Sequence, residues 1–571
     1  MPDSSLDHLK QGAGKPKGHE NDSEAHRLFR SVPGHERRGA KKTQHDVAGI
    51  VAPGQTGVIY VSDRAMKNGW SAGDPEWANF GQGAPEGKLH KQDMVPSFAE
   101  ANQHFLTVSH IDGSSPRPDT IKLSDLSAAY GSDVNEYAPT TGMRELREAV
   151  AKYYNETYRK GKPSQYTADN VCIVPGGRAG LTRVAAVVGD VFVCYSIPEY
   201  TSYDQLLSSF KRLVPIPTTL KEEDAYHLNV ENLAEMIHNM GITCVFLSNP
   251  HNPTGQVIYG DELKRMVEMA RKGTTMVLDE FYESYVYDLG EGAKVSAAEY
   301  IEDVNQDNVI LINGMTKCWR LPGWRVCWVV GPESLIKALG QSGGFLDGGA
   351  PHPLQAAAIP LLDPARFDGD RIALQNLFRT KRDYVLKRLR DMGFVIEHPP
   401  TATFYLWLDL SSLPKPLNSG LVFFEEALKE KVIVVPGQFF DLSQFFLSPF
   451  SPSPSLFSVS SFFFFFFFFF SSSFSSKLPL NLLHARQTPL TGAFCHLLSW
   501  EPRNAILTSF PSRRRNLLDS PCDHFVRLSF GPPMPEIERG MDNLERLIKR
   551  VKKHVEEGTD LETVIGKDLK K

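Results

Sequence analysis

The chain of 571 residues is poor in cysteine and contains no CxxC pair. Its seven cysteines are scattered and odd in number, so the sequence suggests neither a disulfide framework nor a metal site of the zinc type. It also lacks a basic excess, since Lys+Arg 62 against Asp+Glu 67 give a net charge of −5. That balance argues against nucleic-acid binding, and the cysteine usage indicates a reducing, intracellular compartment.

The N-terminal region lacks the apolar core of a secretory signal. Acidic residues such as Asp3, Asp7 and Glu20 also argue against a mitochondrial presequence. We therefore predict a disordered tail over residues 1–74 and, by default, a cytoplasmic location.

A low-complexity insertion is predicted over residues 443–511, with nine consecutive phenylalanines at Phe462–Phe470. This run is too short for a membrane span, which needs about 20 apolar residues. Ser, Phe, Leu and Pro have largely pyrimidine-rich codons, so we hypothesise that an intron has been translated here. Asp441 would then nearly adjoin Arg513, and sequencing the mature transcript tests this. A retained insertion is either disordered or a hazard to activity.

The centre of the chain is built from short β-branched apolar runs separated by amphipathic stretches such as 230–240 and 261–271. Runs that are apolar at every position predict strands buried on both faces, as in a parallel sheet. We predict an α/β fold with a large doubly wound domain over residues 121–360. Its seven mostly parallel strands are expected at 171–174, 191–194, 213–216, 244–247, 276–278, 309–312 and 326–330.

A smaller α+β domain is predicted from residues 361–442 and 512–571, with residues 75–120 joining it. Helical patterns over 371–392, 421–431 and 535–555 alternate there with strand patterns. Those strands are expected at 403–410, 432–435 and 525–530.

Residues with useful chemistry follow four of the central strands. Parallel strands place their carboxyl ends at one edge of a sheet, where ligands bind. By themselves these residues have ordinary explanations. A Gly-rich turn is mostly just a turn, an Asn-Pro loop a tight connection, a carboxylate a helix cap and a lysine a solvated side chain. They occur at Pro175–Leu181, Ser248–Gly255, Asp279 and Lys317.

Together the motifs Asn249–Gly255 (NPHNPTG), Asp279–Tyr282 (DEFY), Thr316-Lys317 and Gly323–Arg325 (GWR) resemble the class I/II aminotransferases. These are fold type I enzymes that depend on pyridoxal 5'-phosphate. The resemblance covers residues 79 to 545 without the phenylalanine-rich insertion. It implies this cofactor, small-molecule amino acid and 2-oxo acid substrates, and a homodimer, with no nucleic acid or membrane partner and no metal.

The resemblance assigns the chemistry to four residues. Lys317 corresponds to the lysine that forms a Schiff base with the cofactor and moves the substrate proton. Asp279 corresponds to the carboxylate that keeps the pyridine nitrogen protonated. Asn252 and Tyr282 resemble the pair that hydrogen-bonds the ring hydroxyl oxygen, and Asn252 also borders the substrate.

Further residues correspond to those that hold the cofactor. Tyr200 resembles the aromatic residue stacked on its ring. The expected phosphate contacts are Gly177, Arg178, Ala179, Thr316 and Arg325. Two departures from the usual pattern are Arg178 in the turn and Cys327 after GWR.

Three matches lie outside the large domain's motifs. Tyr137 resembles the tyrosine that reaches the phosphate of the neighbouring subunit. Arg527 resembles the arginine that binds the substrate α-carboxylate with two parallel hydrogen bonds. Gly83 resembles the glycine at which the N-terminal segment covers the substrate.

The predicted reaction is ping-pong transamination between an L-amino acid and a 2-oxo acid. The alternatives are β-elimination of the C–S lyase type, cyclopropane formation as in ACC synthase, or a product inactivated by the insertion. No Lys or Arg occurs between Lys337 and Arg366, where one subgroup has the arginine for dicarboxylate substrates. This disfavours aspartate without excluding it.

Overall fold

The structure is a computed structural model that describes residues 57–85, 123–131, 133–203, 206, 213–441, 520–561, 564 and 565. The insertion predicted over 443–511 lies outside the described residues, as do residues 1–56 and 86–120. The described residues share one compact unit. The predicted domain boundary near residue 360 stays a prediction.

A seven-stranded sheet forms the centre of the molecule, and it confirms the predicted α/β fold with mostly parallel strands. Its strands run in the order β2-β8-β7-β6-β5-β3-β4. Only β8 runs antiparallel to its neighbours. The strands are β2 (Val171–Val174), β3 (Val191–Ile197), β4 (Leu213–Thr219), β5 (Cys244–Ser248), β6 (Thr275–Asp279), β7 (Val309–Gly314) and β8 (Cys327–Val330).

Most strands of the sheet are buried on both faces, as their uniform apolar runs predict. Every residue of the inner strands β5, β7 and β8 is buried, and so is every residue of β2, which lies at one edge of the sheet. A strand whose two faces are both covered has no need to alternate apolar and polar side chains. The ends of these strands can therefore place polar residues in a buried environment.

Strand β4 corrects the prediction that all seven runs are buried. Among the described strands it pairs only with β3, and only its first residue, Leu213, is buried, with Val214 48% exposed. Pro215 and Pro217 lack an N–H donor, and proline within a sheet is confined largely to edge strands. The two prolines therefore fit β4 to the sheet edge.

Helices accompany the sheet strands and begin where amphipathic stretches predict them. The helix predicted over 230–240 has those bounds, and the one predicted over 261–271 begins one residue earlier. The helices up to residue 358 are α1 (Gly57–Lys67), α2 (Leu123–Tyr130), α3 (Arg144–Tyr158), α4 (Gly177–Val187), α5 (Val230–Met240), α6 (Gly260–Arg271), α7 (Glu333–Leu346) and α8 (His352–Ala358).

The C-terminal part contributes a three-stranded antiparallel sheet in the order β11-β12-β9. Its strands are β9 (Tyr405–Asp409), β11 (Val435–Pro436) and β12 (Phe525–Ser529). The helices around it are α9 (Pro364–Met392), α10 (Gly420–Lys429) and α11 (Met534–Glu556).

The single strand predicted over 432–435 is two strands, because its halves belong to different sheets. Strand β10 (Val432–Ile433) pairs in parallel with β1 (Ala78–Asn79). Strand β11 pairs with β12. The first pairing holds the segment around residue 80 next to the C-terminal part of the chain.

Helix α1 corrects the predicted disordered tail over residues 57–74. Its Tyr60, Val61 and Ala65 are buried, and Arg64 forms an ion pair with the buried Glu425 at 2.9 Å. Sequence composition averages over this short amphipathic stretch and so misses the helix. Within the described residues, no helix is long and apolar enough to cross a membrane.

Candidate active site

Lys317, the lysine predicted to bind the cofactor, lies beyond the carboxyl end of β7 and is half-buried. Its Nζ donates a hydrogen bond to the carbonyl oxygen of Gly83. Two rings flank the amine, with Nζ 5.9 Å from the Tyr282 ring centroid and 5.8 Å from that of Phe404. Lys317 thus sits between the central sheet and the N-terminal segment, as its match to a reactive amine requires.

Burial, followed by the positive charge of Arg527, lowers the pKa of Lys317 to about 8. The carboxylate of Asp279 acts in the opposite direction. A desolvated amine near a second cation loses its proton more readily, which makes it a nucleophile near neutral pH.

Gly83 leaves space directly beside this amine. A Cβ added there would lie 3.2 Å from the Tyr405 hydroxyl and 3.9 Å from Lys317 Nζ. The hydroxyls of Tyr405 and Tyr282 are themselves 3.0 Å apart. The structure therefore brings Gly83, Lys317 and Tyr282 together, and it adds Tyr405 to them.

Asp279 is the last residue of β6 and is 7% exposed. Burial raises its pKa to about 7, and the negative charge of Glu199 is the next largest cause. The Tyr203 hydroxyl donates to Asp279 Oδ2 at 3.4 Å. A carboxylate with this affinity for protons suits a partner that brings a proton, such as a protonated ring nitrogen.

Arg527 lies on β12 and is 2% exposed. One terminal nitrogen donates to Asn252 Oδ1 at 3.0 Å and the other to the Gly81 carbonyl oxygen at 3.0 Å. Its Cζ lies 4.1 Å from the Tyr405 ring centroid. Its Nε is buried and has no hydrogen-bond partner among the described residues. A buried guanidinium without a carboxylate is suited to receive one from a ligand.

The Gly-rich turn between β2 and α4 is closed by Arg325. Gly176 has φ +106°, and an added Cβ there would lie 1.7 Å from Arg325 Nη2. An added Cβ on Gly177 would lie 2.4 Å from the Phe281 ring. Glycine is thus required at both positions, and the N-terminal end of α4 presents the positive end of its helix dipole to an anion.

The remaining predicted contacts surround this turn. Arg178 is exposed, and its Nε donates to the Tyr200 hydroxyl at 3.1 Å and to Ser202 Oγ at 3.0 Å. Ala179 follows in the first turn of α4. Thr316 Oγ1 lies 3.2 Å from Cys327 Sγ, so the unusual cysteine contacts one of the predicted phosphate donors.

A sequence comparison now decides the family. The family described as "Aminotransferase class I and II" matches residues 75–448. The chain belongs to this family. It is accordingly a transaminase, as its motifs predict.

Two relatives and one solved structure illustrate what this aminotransferase is similar to. A probable aspartate/prephenate aminotransferase of Aquifex aeolicus is 27% identical over 328 residues, which are 57% of this chain and 80% of the relative. An aspartate aminotransferase of Sulfolobus acidocaldarius is 27% identical over 377 residues, 64% of this chain and 90% of the relative. The structure of an aspartate aminotransferase from Thermus thermophilus with maleate superimposes with a TM-score of 0.57 at 18% identity. The match covers 86% of this chain and 97% of the Thermus thermophilus chain, and at this identity it shows only that the two folds are alike.

The residues of this aminotransferase fit the cofactor of the family on three observations. The half-buried Lys317 has a lowered pKa, a turn requires glycine beside an arginine, and Asp279 lies at the same sheet edge with a raised pKa. The lysine matches the aldehyde of the cofactor, the turn matches its phosphate, and Asp279 matches its pyridine nitrogen.

Tyr137 differs from most predicted site residues in its exposure. It is 94% exposed, whereas Asn252 is 4% exposed. A residue that contacts the site of a neighbouring subunit would be exposed in a single chain.

The sequence did not predict three residues that lie next to the site. Tyr405 reaches Lys317 and Arg527 only because β9 and β12 pair, with Tyr405 opposite Ser529. No local pattern predicts that register. Tyr203 and Glu199 flank Tyr200, and their burial next to Asp279 depends on how β3 packs beside β5.

Proposed function

We propose that the chain binds pyridoxal 5'-phosphate at Lys317 and transfers amino groups between an L-amino acid and a 2-oxo acid by a ping-pong mechanism. The observation that carries this proposal is the half-buried Lys317 amine, with its pKa lowered to about 8 at the edge of the sheet that also holds Asp279. Membership in the aminotransferase family supports the same reading of that amine.

When bound, the cofactor supplies an electron sink for the bonds at the substrate Cα. Lys317 Nζ holds and moves the proton that leaves Cα, because a neutral amine near pH 8 can accept it. Asp279 keeps a proton on the facing ring nitrogen. Arg527 orients the substrate by its α-carboxylate, and Gly83 leaves room beside the amine.

The phosphate is proposed to bind at the first turn of α4. Gly177 and Ala179 form the N-terminal turn whose helix dipole attracts the anion, and Arg178, Thr316 and Arg325 supply side-chain donors. Asn252 and Tyr282 are proposed to hydrogen-bond the ring hydroxyl oxygen, and Tyr200 to stack on the ring. Tyr282 lies suitably close to Lys317, with its ring centroid 5.9 Å from Nζ.

A homodimer completes the proposed site, with Tyr137 reaching the phosphate of the partner subunit. Its 94% exposure supports this role. A cytoplasmic location stays a prediction from the sequence.

The amino donor is proposed to be an acidic amino acid such as aspartate. Relatives named aspartate aminotransferases support this choice. No Lys or Arg occurs between Lys337 and Arg366, so a second carboxylate would be bound by other residues than in the subgroup with the partner-subunit arginine.

The proposal is tested by adding pyridoxal 5'-phosphate to the purified chain, reducing it with borohydride and mapping the modified peptide by mass spectrometry. We expect the label on Lys317 and its loss in Lys317→Ala. Addition of aspartate to the unreduced protein should then convert the cofactor to its pyridoxamine form and release a 2-oxo acid. Labelling elsewhere, or release of ammonia together with the oxo acid, would contradict transamination at this lysine.

A further inference from the structure

A second buried carboxylate, Glu199, lies near Asp279 and has no part in the proposed function. Glu199 follows β3 and is 0% exposed. Burying an ionised carboxylate is costly unless it is paired and hydrogen-bonded. The hydrogen-bond partners of Glu199 must therefore offset the cost of its burial.

Several donors converge on this carboxylate. Oε1 accepts hydrogen bonds from Ser248 Oγ at 2.6 Å and from the Tyr200 backbone N–H at 2.8 Å. Oε2 accepts one from Ser196 Oγ at 2.8 Å. Donors of this kind stabilise the ionised form, so the contacts indicate a buried negative charge.

His251, from the NPHNPTG loop, completes the group. Its Nε2 lies 3.2 Å from Glu199 Oε2, and its Nδ1 lies 2.9 Å from Thr254 Oγ1. The imidazole is 6% exposed. Glu199 and His251 thus form a buried pair that we name the Glu199–His251 pair.

The pair connects to Asp279 through the neighbouring strand. Ser248, which donates to Glu199, lies directly opposite Asp279 in the β5–β6 register. The adjacent Asn249 N–H donates to the Asp279 carbonyl oxygen at 2.9 Å. Among the causes that raise the pKa of Asp279, the charge of Glu199 comes second after burial.

We propose that the Glu199–His251 pair is a positioning device that strengthens Asp279 as the proton acceptor facing the pyridine nitrogen of bound pyridoxal 5'-phosphate. This inference rests on the proposed function. Two nearby buried carboxylates repel each other, and a proton shared between Asp279 and the ring relieves that repulsion. Other titratable groups that interact electrostatically with Asp279 are Tyr203, Glu280, Tyr282, Lys317, Cys327 and Tyr405.

The test uses the holoenzyme loaded with cofactor carrying ¹⁵N in the pyridine ring, whose NMR shift reports ring protonation as the pH is varied. In Glu199→Gln we expect the midpoint of ring-nitrogen protonation to fall by about one pH unit. Glu199→Asp keeps the charge and should restore much of the wild-type midpoint. A purely structural role would not produce this dependence on charge.

Glu283→Gln is the matched control, because Glu283 is also fully buried but pairs with the Tyr153 and Tyr158 hydroxyls at 2.7 and 2.6 Å. It should leave the midpoint unchanged. If Glu199→Gln does not fold, Ser196→Ala removes one donor to Glu199 and should shift the midpoint in the same direction by less.

The two proposals fail in different ways. Absence of borohydride labelling at Lys317 in the wild type would overturn the proposed function. Normal labelling with an unchanged midpoint in Glu199→Gln, or in Ser196→Ala if the glutamine variant is unfolded, would overturn the role of the Glu199–His251 pair alone. An equal shift in Glu283→Gln would do the same.

Discussion

At the scale of single residues, the site places charges where water cannot screen them. Lys317 and Arg527 carry like charges, and Asp279 offsets part of their repulsion. The lysine thereby loses its proton more readily, and the buried Nε of the arginine has no hydrogen-bond partner in the part of the chain that the structure describes. Both conditions are suited to a ligand that brings an aldehyde and a carboxylate.

The first prediction concerns the protonation of Lys317. The rate at which pyridoxal 5'-phosphate is captured at this residue should rise with pH, reach half its maximum near pH 8, the value to which the pKa is lowered, and level off above it. Arg527→Gln should move the plateau to higher pH, because it removes the second cation. Borohydride trapping and peptide mass spectrometry across the pH range measure this, with Lys317→Ala as control. A rate that keeps rising toward the range of an ordinary lysine would contradict it.

The second prediction concerns Glu280, whose oxygens accept from Ser296 Oγ at 2.6 Å and from the Ala297 N–H at 2.8 Å. Burial raises its pKa from 4.5 to about 8. Between these values the folded state holds a proton that the unfolded state has lost, so stability falls as pH rises. One such group contributes at most about 1.4 kcal/mol per pH unit.

Glu280→Gln should therefore flatten the fall in unfolding free energy across this pH window. Urea denaturation of both proteins at several pH values measures the two slopes. Equal slopes would show that Glu280 does not hold the proton.

At the scale of elements, the turn between β2 and α4 is packed against Arg325, a side chain from a distant part of the chain. Gly176 adopts φ +106° and leaves the space that Arg325 Nη2 occupies. Arg325 is held there by the carbonyl oxygens of Pro322 at 3.0 Å and Pro175 at 3.3 Å. The turn and the segment after β7 therefore form one unit, at which the cofactor phosphate is proposed to bind.

The third prediction follows from this close approach. Gly176→Ala should displace Arg325 and strain the turn, and it should weaken cofactor binding by about tenfold to a hundredfold, the cost of a lost hydrogen bond to a charged group. Fluorescence titration of the cofactor-free protein with pyridoxal 5'-phosphate measures this. Gly189→Ala is the control, because an added Cβ there meets nothing within 4 Å. Similar affinities in the two variants would contradict the assignment.

The elements were predicted better than their partners. The central strands and the helices at 230–240 and 260–271 agree with the apolar patterns to within a few residues. The edge position of β4 and the division of 432–435 between two sheets were not predicted. Both depend on which strand lies alongside, and a pattern within one segment contains no information about that.

At the scale of the whole molecule, the segments before and after the insertion contact each other. Ser520 Oγ donates to Asp441 Oδ2 at 2.7 Å, and both residues are buried. β12, which holds Arg527, begins only a few residues after Ser520. The site therefore needs the two ends of the insertion to lie together, whatever lies between them.

The fourth prediction is that a variant lacking residues 443–511 keeps a cooperative unfolding transition and binds cofactor at Lys317. Shortening the connection lowers the entropic cost of closing it by about 2 kcal/mol, so the variant should be more stable than the full chain. Calorimetry and borohydride labelling measure the two properties. Loss of the transition would show that the deleted segment is needed for folding.

The sequence by itself determined the order of strands and helices along the chain, and it predicted which residues with useful chemistry follow β2, β5, β6 and β7. It could do so because parallel strands gather their carboxyl ends at one edge. Tertiary structure alone decided that Tyr405 joins Gly83 and Arg527 beside Lys317, and that the Glu199–His251 pair lies near Asp279. Those contacts join segments far apart in the chain, and their burial, which shifts the pKa values of Lys317 and Asp279, exists only after the sheets and loops have packed.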